Sequence, residues 1–161
     1  MEEGDITALV DHDQDWHRQV WHLYRADVLW LGGHRSKARR EAATIIFDGS
    51  QPMTSAVVGG FCRWTAILMR TRPAAESLFR VVRESWESRS RLDAVDRLEV
   101  ANAALETGQW RTADERTEME TEARSLTAEL PPATAVFLEH FGPAAPSGVG
   151  ARTTISQAEQ H

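Results

Sequence analysis

Two stretches of this sequence repeat one pattern and decide the fold, Ala26-Asp-Val-Leu-Trp-Leu-Gly-Gly33 and Ala101-Asn-Ala-Ala-Leu-Glu-Thr-Gly108. In each stretch a small residue precedes the turn glycine by seven positions, and a second alanine, Ala38 or Ala113, follows that glycine by five. Glycine commonly ends a helix, and the apolar residues around both glycines have the three- and four-residue spacing of helices. Each stretch therefore predicts two helices joined by a tight turn.

A third pair of small residues lies between these two stretches. Cys62 and Ala74 are separated by the same twelve positions, which gives a repeat of about 36–39 residues. The pattern resembles the tetratricopeptide repeat, a family in which small residues lie where paired helices touch. The resemblance covers about residues 13–130 and implies an all-α fold of about three antiparallel helical hairpins, stacked as a short solenoid with a C-terminal capping helix. It also implies a protein- or peptide-binding module, similar to the repeat segments of large bacterial regulators.

Apolar periodicity predicts where the helices and the domain end. The predicted helical segments are 13–31, 36–47, 54–70, 73–86, 93–107, 112–130 and 132–141, and no stretch alternates as a strand does. Residues 1–12 are acidic and weakly patterned, which predicts a frayed lead-in or a short helix. Residues 142–161 are rich in Pro, Ala, Gly, Ser and Thr, which predicts a disordered tail after a helical repeat domain at 13–141.

The composition excludes several classes of protein. A chain of 161 residues that is 42% hydrophobic has the size and apolar content of one globular domain. The net charge of −6 argues against non-specific nucleic-acid binding as the main role. The single cysteine excludes a disulfide within the chain and a cysteine-based zinc site. The acidic N-terminus lacks the features of a secretory signal, and no stretch predicts a membrane span, so we expect a cytoplasmic protein.

A ligand groove follows from the resemblance. Asp27, Arg63 and Asn102 each come directly after the small residue of their repeat, and the equivalent position in tetratricopeptide repeats lines the groove that binds extended peptides. The resemblance thus implies a polar ladder, Asp27–Arg63–Asn102, with Leu23 and Trp30 along the same groove. The alternative is a buried Asp27–Arg63 ion pair that only holds two helices in register. Both interpretations require Asp27 and Arg63 to be neighbours.

A basic patch consists of Arg35, Lys37, Arg39 and Arg40 and lies at the start of the predicted helix 36–47. Such a patch after a tight turn suits a small DNA-associated transcriptional regulator. A solvated helix face accounts for the same residues, and it is the favoured interpretation. Nucleic acid is therefore not the expected partner.

The second alternative is a small metal-dependent enzyme that uses the histidines and aspartates near the N-terminus. His12, His17 and His22 step by five residues, which turns each side chain about 140° from the last, so only Asp13 and His17 share a helix face. No nucleophile elbow, phosphate loop or zinc-protease motif occurs. We therefore predict no metal site, no cofactor and no catalytic residue.

The first helix is apolar over more than half of its circumference, with Trp16, Trp21, Leu23, Tyr24 and Trp30 among its residues. One contact face does not need so wide an arc. Either this helix is buried between two neighbours, or one side is exposed for a partner, which includes a second copy of the chain. The sequence leaves both alternatives open.

Overall fold

The structure, a computed structural model, describes residues 3–48, 51–52, 54–72 and 76–143, with side chains from Trp16 onward. The described residues form helices and no strand, which confirms the all-α prediction. The helices are α1 (Glu3–Leu31), α2 (Arg35–Ile46), α3 (Ser55–Met69), α4 (Glu76–Glu87), α5 (Ala94–Thr107), α6 (Ala113–Glu129) and α7 (Pro132–Glu139). A short 3₁₀ turn at Arg89–Arg91 connects α4 to α5.

The largest boundary difference is at the N-terminus. Helix α1 begins at Glu3, ten residues before the predicted start at Asp13, so the lead-in is helical from residue 3. Acidic residues stabilise the first turns of a helix through its dipole, and they favour this extension even where apolar periodicity is weak. Helix α2 begins at Arg35, one residue before the predicted segment 36–47. The predicted start at Pro73 and most of the predicted tail lie outside the described residues.

Both glycine turns form as predicted. Gly33 has φ +87° and Gly108 has φ +72°, a left-handed conformation that glycine adopts without the steric cost of a side chain. The main-chain amide of His34 donates to the Leu29 carbonyl, and that of Gln109 donates to the Ala104 carbonyl, each at 2.8 Å. These hydrogen bonds close the ends of α1 and α5 and turn the chain into the next helix.

Polar side-chain contacts show how the helices run. Helices α1 and α2 are antiparallel, because Arg18 pairs with Asp48 at 2.8 Å whereas His22, farther along α1, pairs with the earlier Glu41 at 2.5 Å.

Helices α3 and α5 are parallel. Arg63 pairs with Glu99, and Arg70 pairs with Glu106 at 2.5 Å, an advance of seven residues along both helices. The alternate helices α1, α3 and α5 contact one another in that order.

A second set of polar contacts joins α4 to α6 around Glu115. The Arg83 guanidinium donates to both carboxylate oxygens at 2.7 Å, the Trp86 indole Nε1 donates at 3.2 Å, and the Arg111 amide donates at 2.7 Å. These contacts, above all the hydrogen bonds from Arg83, lower the pKa of Glu115 to about 2. Glu115 is thus a charged residue that joins α6 to α4 through several hydrogen bonds.

The small residues that carry the repeat resemblance are only partly where it implies. Ala26, Cys62 and Ala101 are fully buried, and so is Ala38. Ala113 is exposed, which corrects the expectation that it lies in a close helix contact. Ala113 is the first residue of α6, directly after the Thr112 N-cap, and the packed face of that helix begins later, at Met119. Ala74 lies outside the described residues.

Helices α3 and α5 approach closely at Gly59. A Cβ atom at this position would lie 3.0 Å from the Asp96 Cα and 3.1 Å from a Glu99 carboxylate oxygen. The same atom on Gly60 would meet nothing nearer than the Arg63 guanidinium at 3.6 Å. Gly59 therefore permits the close contact of the two helices, and Gly60 does not contribute to it.

The chain divides into two compact units, residues 1–131 and 132–161. The first unit holds α1 to α6. The second holds α7, where the Phe137 and Phe141 rings lie 5.1 Å apart. The capping role expected for the C-terminal helix stays a prediction. Over the described part of the chain, no helix has the length and apolar character needed to cross a membrane.

Candidate functional site

Three charged residues form a row across the alternate helices, spaced 36 residues apart: Asp27 on α1, Arg63 on α3 and Glu99 on α5. One Arg63 nitrogen, Nη2, donates to both Asp27 oxygens at 2.7 and 2.8 Å, and the other, Nη1, donates to Glu99. The Trp64 indole Nε1 also donates to Asp27, at 2.7 Å. The side chains of Asp27, Arg63 and Glu99 are only 18%, 11% and 7% exposed. We call these three residues the ionic row.

Burial dominates the electrostatics of the ionic row. Removal from water raises the pKa of Glu99 from 4.5 to about 7, against the opposing attraction of Arg63, and the negative charges of Asp96 and Asp27 raise it further. Burial, helped by the neighbouring Asp93, also raises the pKa of Asp96 to about 6. A single arginine therefore faces two carboxylates in the row. Because the pKa of Glu99 lies at about 7, this side chain takes up a proton near neutral pH.

The ionic row places the predicted ladder residues differently from expectation. Asp27 and Arg63 are in direct contact, as both interpretations require, but the third member is Glu99. Asn102 is exposed, about one turn farther along α5. Leu23 and Trp30, expected along a ligand groove, are buried instead, so a ligand cannot reach them while the helices stay packed. The internal pairing of the row favours a structural role over ligand binding.

Aligning the repeats on their small residues Ala26, Cys62 and Ala101 does not reach Glu99. That alignment places Asn102 beside Arg63, whereas helix contacts follow a constant spacing of 36 residues, shared by the Arg70–Glu106 pair. The signal was present in the sequence: counting 36 residues from Asp27 to Arg63 and again reaches Glu99.

Much of the basic patch is occupied by a contact with one tryptophan. The guanidinium carbons of Arg35 and Arg39 lie 4.1 and 5.3 Å from the Trp30 ring centroid, within the range of cation–π attraction. Lys37 and Arg40 are exposed on the same helix. The patch thus covers the end of a buried indole, which is a structural use of two of its four cations.

The structure describes the side chains of only some of the residues proposed for metal or nucleophilic chemistry. His17 is exposed beside the Trp16 ring, His22 pairs with Glu41, and the Asp13 side chain lies outside the described residues. Among the side chains that the structure describes, no three His, Cys, Asp or Glu residues are grouped to hold a metal ion. Cys62 is fully buried, and burial raises the pKa of its thiol to about 12, which suits a core residue and not a nucleophile.

The exposed side of α1 carries a stripe of large apolar residues. Trp21, Tyr24, Val28 and Leu31 are 58%, 63%, 50% and 45% exposed. Their spacing of three, four and three residues places them on one helix face, while Leu23, Ala26 and Trp30 on the other side are buried. We call these four residues the α1 stripe. Of the two alternatives for the wide apolar arc, the structure therefore shows exposure of one side.

Protein-family models, curated proteins and solved structures were all compared with this chain, and none of the three comparisons gave a match.

Proposed function

We propose that this protein is a protein-binding module of stacked helical hairpins, a regulatory or scaffolding component whose docking surface is the α1 stripe. The observation that carries the proposal is the exposure of four large apolar side chains on one helix face. Surface apolar residues usually occur singly, and a contiguous group that includes a tryptophan and a tyrosine is typical of a protein interaction site.

The arrangement of the helices supports the same proposal. The parallel course of α3 and α5, the order of contacts from α1 to α5, and the buried series Ala26, Cys62 and Ala101 are features that a stack of tetratricopeptide-like hairpins would have. In such a stack each hairpin covers its neighbour, and an apolar face that no neighbour covers is available to a partner. The α1 stripe is such a face, because its side chains are exposed and point away from α2 and α3.

The ionic row supports docking through the α1 stripe and not through a groove at Asp27. Asp27, Arg63 and Glu99 satisfy one another, so a ligand that bound there would have to displace strong internal ion pairs. Docking on the α1 stripe requires no such exchange, because its four side chains already face solvent.

A site-specific photo-crosslinking experiment tests the proposal. The photoreactive residue p-benzoylphenylalanine is placed at Tyr24, and at the exposed Arg80 on α4 as a matched control, in the full chain expressed in its own host. We expect protein adducts at position 24 and not at position 80. Excess wild-type chain should compete for these adducts, and a Tyr24→Glu/Val28→Glu double variant should not.

Two results would overturn the proposed function. The first is the absence of any protein adduct at position 24. The second is an equal set of adducts at both positions, which would show non-specific contact. Circular dichroism of the double variant checks that it is folded, and we expect an unchanged helix signal because both substituted side chains lie on the surface.

A further inference from the structure

We infer that the α1 stripe binds a second copy of this chain, with the two α1 helices packed antiparallel across a two-fold axis. The inference rests on the proposed function, because it names the protein that the stripe binds. Three features of the chain support this pairing: the order of residues in the stripe, the distribution of charge along the sequence of α1, and the apolar area available.

The order of residues in the stripe fits an antiparallel pair. Two aromatic residues, Trp21 and Tyr24, precede two aliphatic ones, Val28 and Leu31. A two-fold axis between Tyr24 and Val28 places Trp21 against Leu31 of the partner subunit and Tyr24 against Val28 of the partner subunit. Each large ring then faces a smaller side chain, which keeps the helix separation even along the contact. A parallel pair would place tryptophan on tryptophan at one end and leucine on leucine at the other.

Charge selects the same orientation. The sequence before Arg18 has no lysine or arginine and carries six acidic residues: Glu2, Glu3, Asp5, Asp11, Asp13 and Asp15. Four cations and no acidic residue occupy positions 32–40, which begin directly after α1. The stripe lies in the C-terminal part of α1, so in an antiparallel pair the acidic half of each helix extends past the end of its partner, toward the partner's basic patch. In a parallel pair the acidic halves would lie side by side and repel.

The available area indicates a dimer that forms reversibly. The exposed fractions of the four stripe residues correspond to roughly 400 Å² per chain, since a large aromatic side chain alone can bury 150–250 Å². Stable complexes bury about 800 Å² per partner. The acidic sequence before Arg18 and the partner's basic patch carry opposite charges, so part of the attraction is electrostatic and is weakened by salt.

Sedimentation equilibrium of the full wild-type chain at a range of concentrations tests the dimer. We expect the average molecular mass to rise with protein concentration from 18.0 kDa toward twice that value. The dimer dissociation constant should increase at least several-fold at 1 M salt. The Tyr24→Glu/Val28→Glu variant should stay monomeric, and the control Arg80→Glu should dimerise as the wild type does. A dimer that persists in the double variant would overturn the inference.

Disulfide trapping tests the orientation without relying on that variant. Under mild oxidation, a mixture of the Trp21→Cys and Leu31→Cys chains should form a disulfide between the two different chains. Either variant alone should form far less disulfide, because in an antiparallel pair its new cysteine lies far from the same cysteine of the partner subunit. The native Cys62 is buried and does not compete. Disulfides that form equally well in each chain alone would indicate a parallel pair and overturn the inference.

The two proposals fail separately. A wild-type chain that stays monomeric at every concentration overturns the second-copy inference. If photo-crosslinking at position 24 then gives adducts with a different protein, the proposed function survives. If it gives none, both fall. Adducts of twice the chain mass, together with the concentration-dependent dimer, support both.

Discussion

Removal of Arg63 should expose how much the ionic row holds the fold together. In Arg63→Met the apolar stem is largely kept while the charge that Asp27 and Glu99 share is lost. Loss of one partner of a buried ion pair costs about 3–5 kcal/mol because the remaining charge stays buried without compensation. A domain of this size has an unfolding free energy of roughly 5–15 kcal/mol, so the variant should remain folded with a much lower urea midpoint.

The loss of stability caused by Arg63→Met should depend on pH. The pKa of Glu99 lies at about 7 in the folded chain, above its ordinary 4.5, so the folded state holds more protons than the unfolded state between these values. Wild-type stability therefore decreases as the pH rises from about 4.5 to 7, by roughly 3 kcal/mol from Glu99 alone. At pH 5 Glu99 is largely protonated and needs no cation, so Arg63→Met should cost at least 1 kcal/mol less at pH 5 than at pH 8.

Urea denaturation at both pH values, followed by the helix signal in far-ultraviolet circular dichroism, provides the measurement. Arg70→Met is the matched control, since Arg70 and Glu106 join the same two helices at the same 36-residue spacing but in a more exposed pair. We expect it to cost about 1 kcal/mol or less at either pH. An Arg63→Met cost below about 1 kcal/mol at pH 8, or an equal cost at both pH values, would refute this account of the row.

Three further predictions use pairs or single sites within the described helices. Gly59→Ala should lower the unfolding free energy by about 1–2 kcal/mol because the new methyl group meets the α5 backbone, whereas Gly60→Ala should raise it by up to about 1 kcal/mol through helix propensity. Chemical denaturation of both variants measures the difference, and changes of the same sign in both would contradict the close contact. In the same assay Ala38→Leu should lower the unfolding free energy by about 1–3 kcal/mol and Ala113→Leu by less than about 0.5 kcal/mol, since only Ala38 is buried. An Ala38→Leu variant as stable as the wild type would argue against a tight α1–α2 contact. The Cys62 thiol should react with a chromogenic disulfide reagent only on unfolding, and rapid labelling of the native chain at pH 8 would contradict its burial and raised pKa.

The sequence predicts the helices well because their apolar spacing and turn glycines are local signals. The contact between Asp27 and Arg63 was also within reach, since each follows a small residue that packs between helices. Glu99 is not reached, because an alignment on the small residues puts Ala101 39 residues after Cys62, about one turn away from the 36-residue register in which the helices touch. Register between helices depends on packing along their whole length, which no single residue of the pattern determines.

The exposure of the α1 stripe could not be predicted for a different reason. Its residues alternate along the chain with buried ones such as Leu23 and Trp30, so the whole arc of the helix is apolar. The periodicity of that arc does not show which side packs against the other helices. Only the positions of α2 and α3 separate the two sides. The same holds for Ala113, where a pattern typical of helix contacts falls on the first, solvent-facing residue of α6.

Two of the hydrogen bonds from tryptophan give the molecule internal reporters of its assembly. The Trp64 indole N–H donates from α3 to Asp27 on α1, and the Trp86 indole N–H donates from α4 to Glu115 on α6. Fluorine-labelled tryptophan would place one resonance at each junction, so magnetic resonance during a denaturant titration would follow the two junctions separately. Coincident loss of both signals would indicate that these helices separate as one cooperative unit, and sequential loss would show which junction opens first.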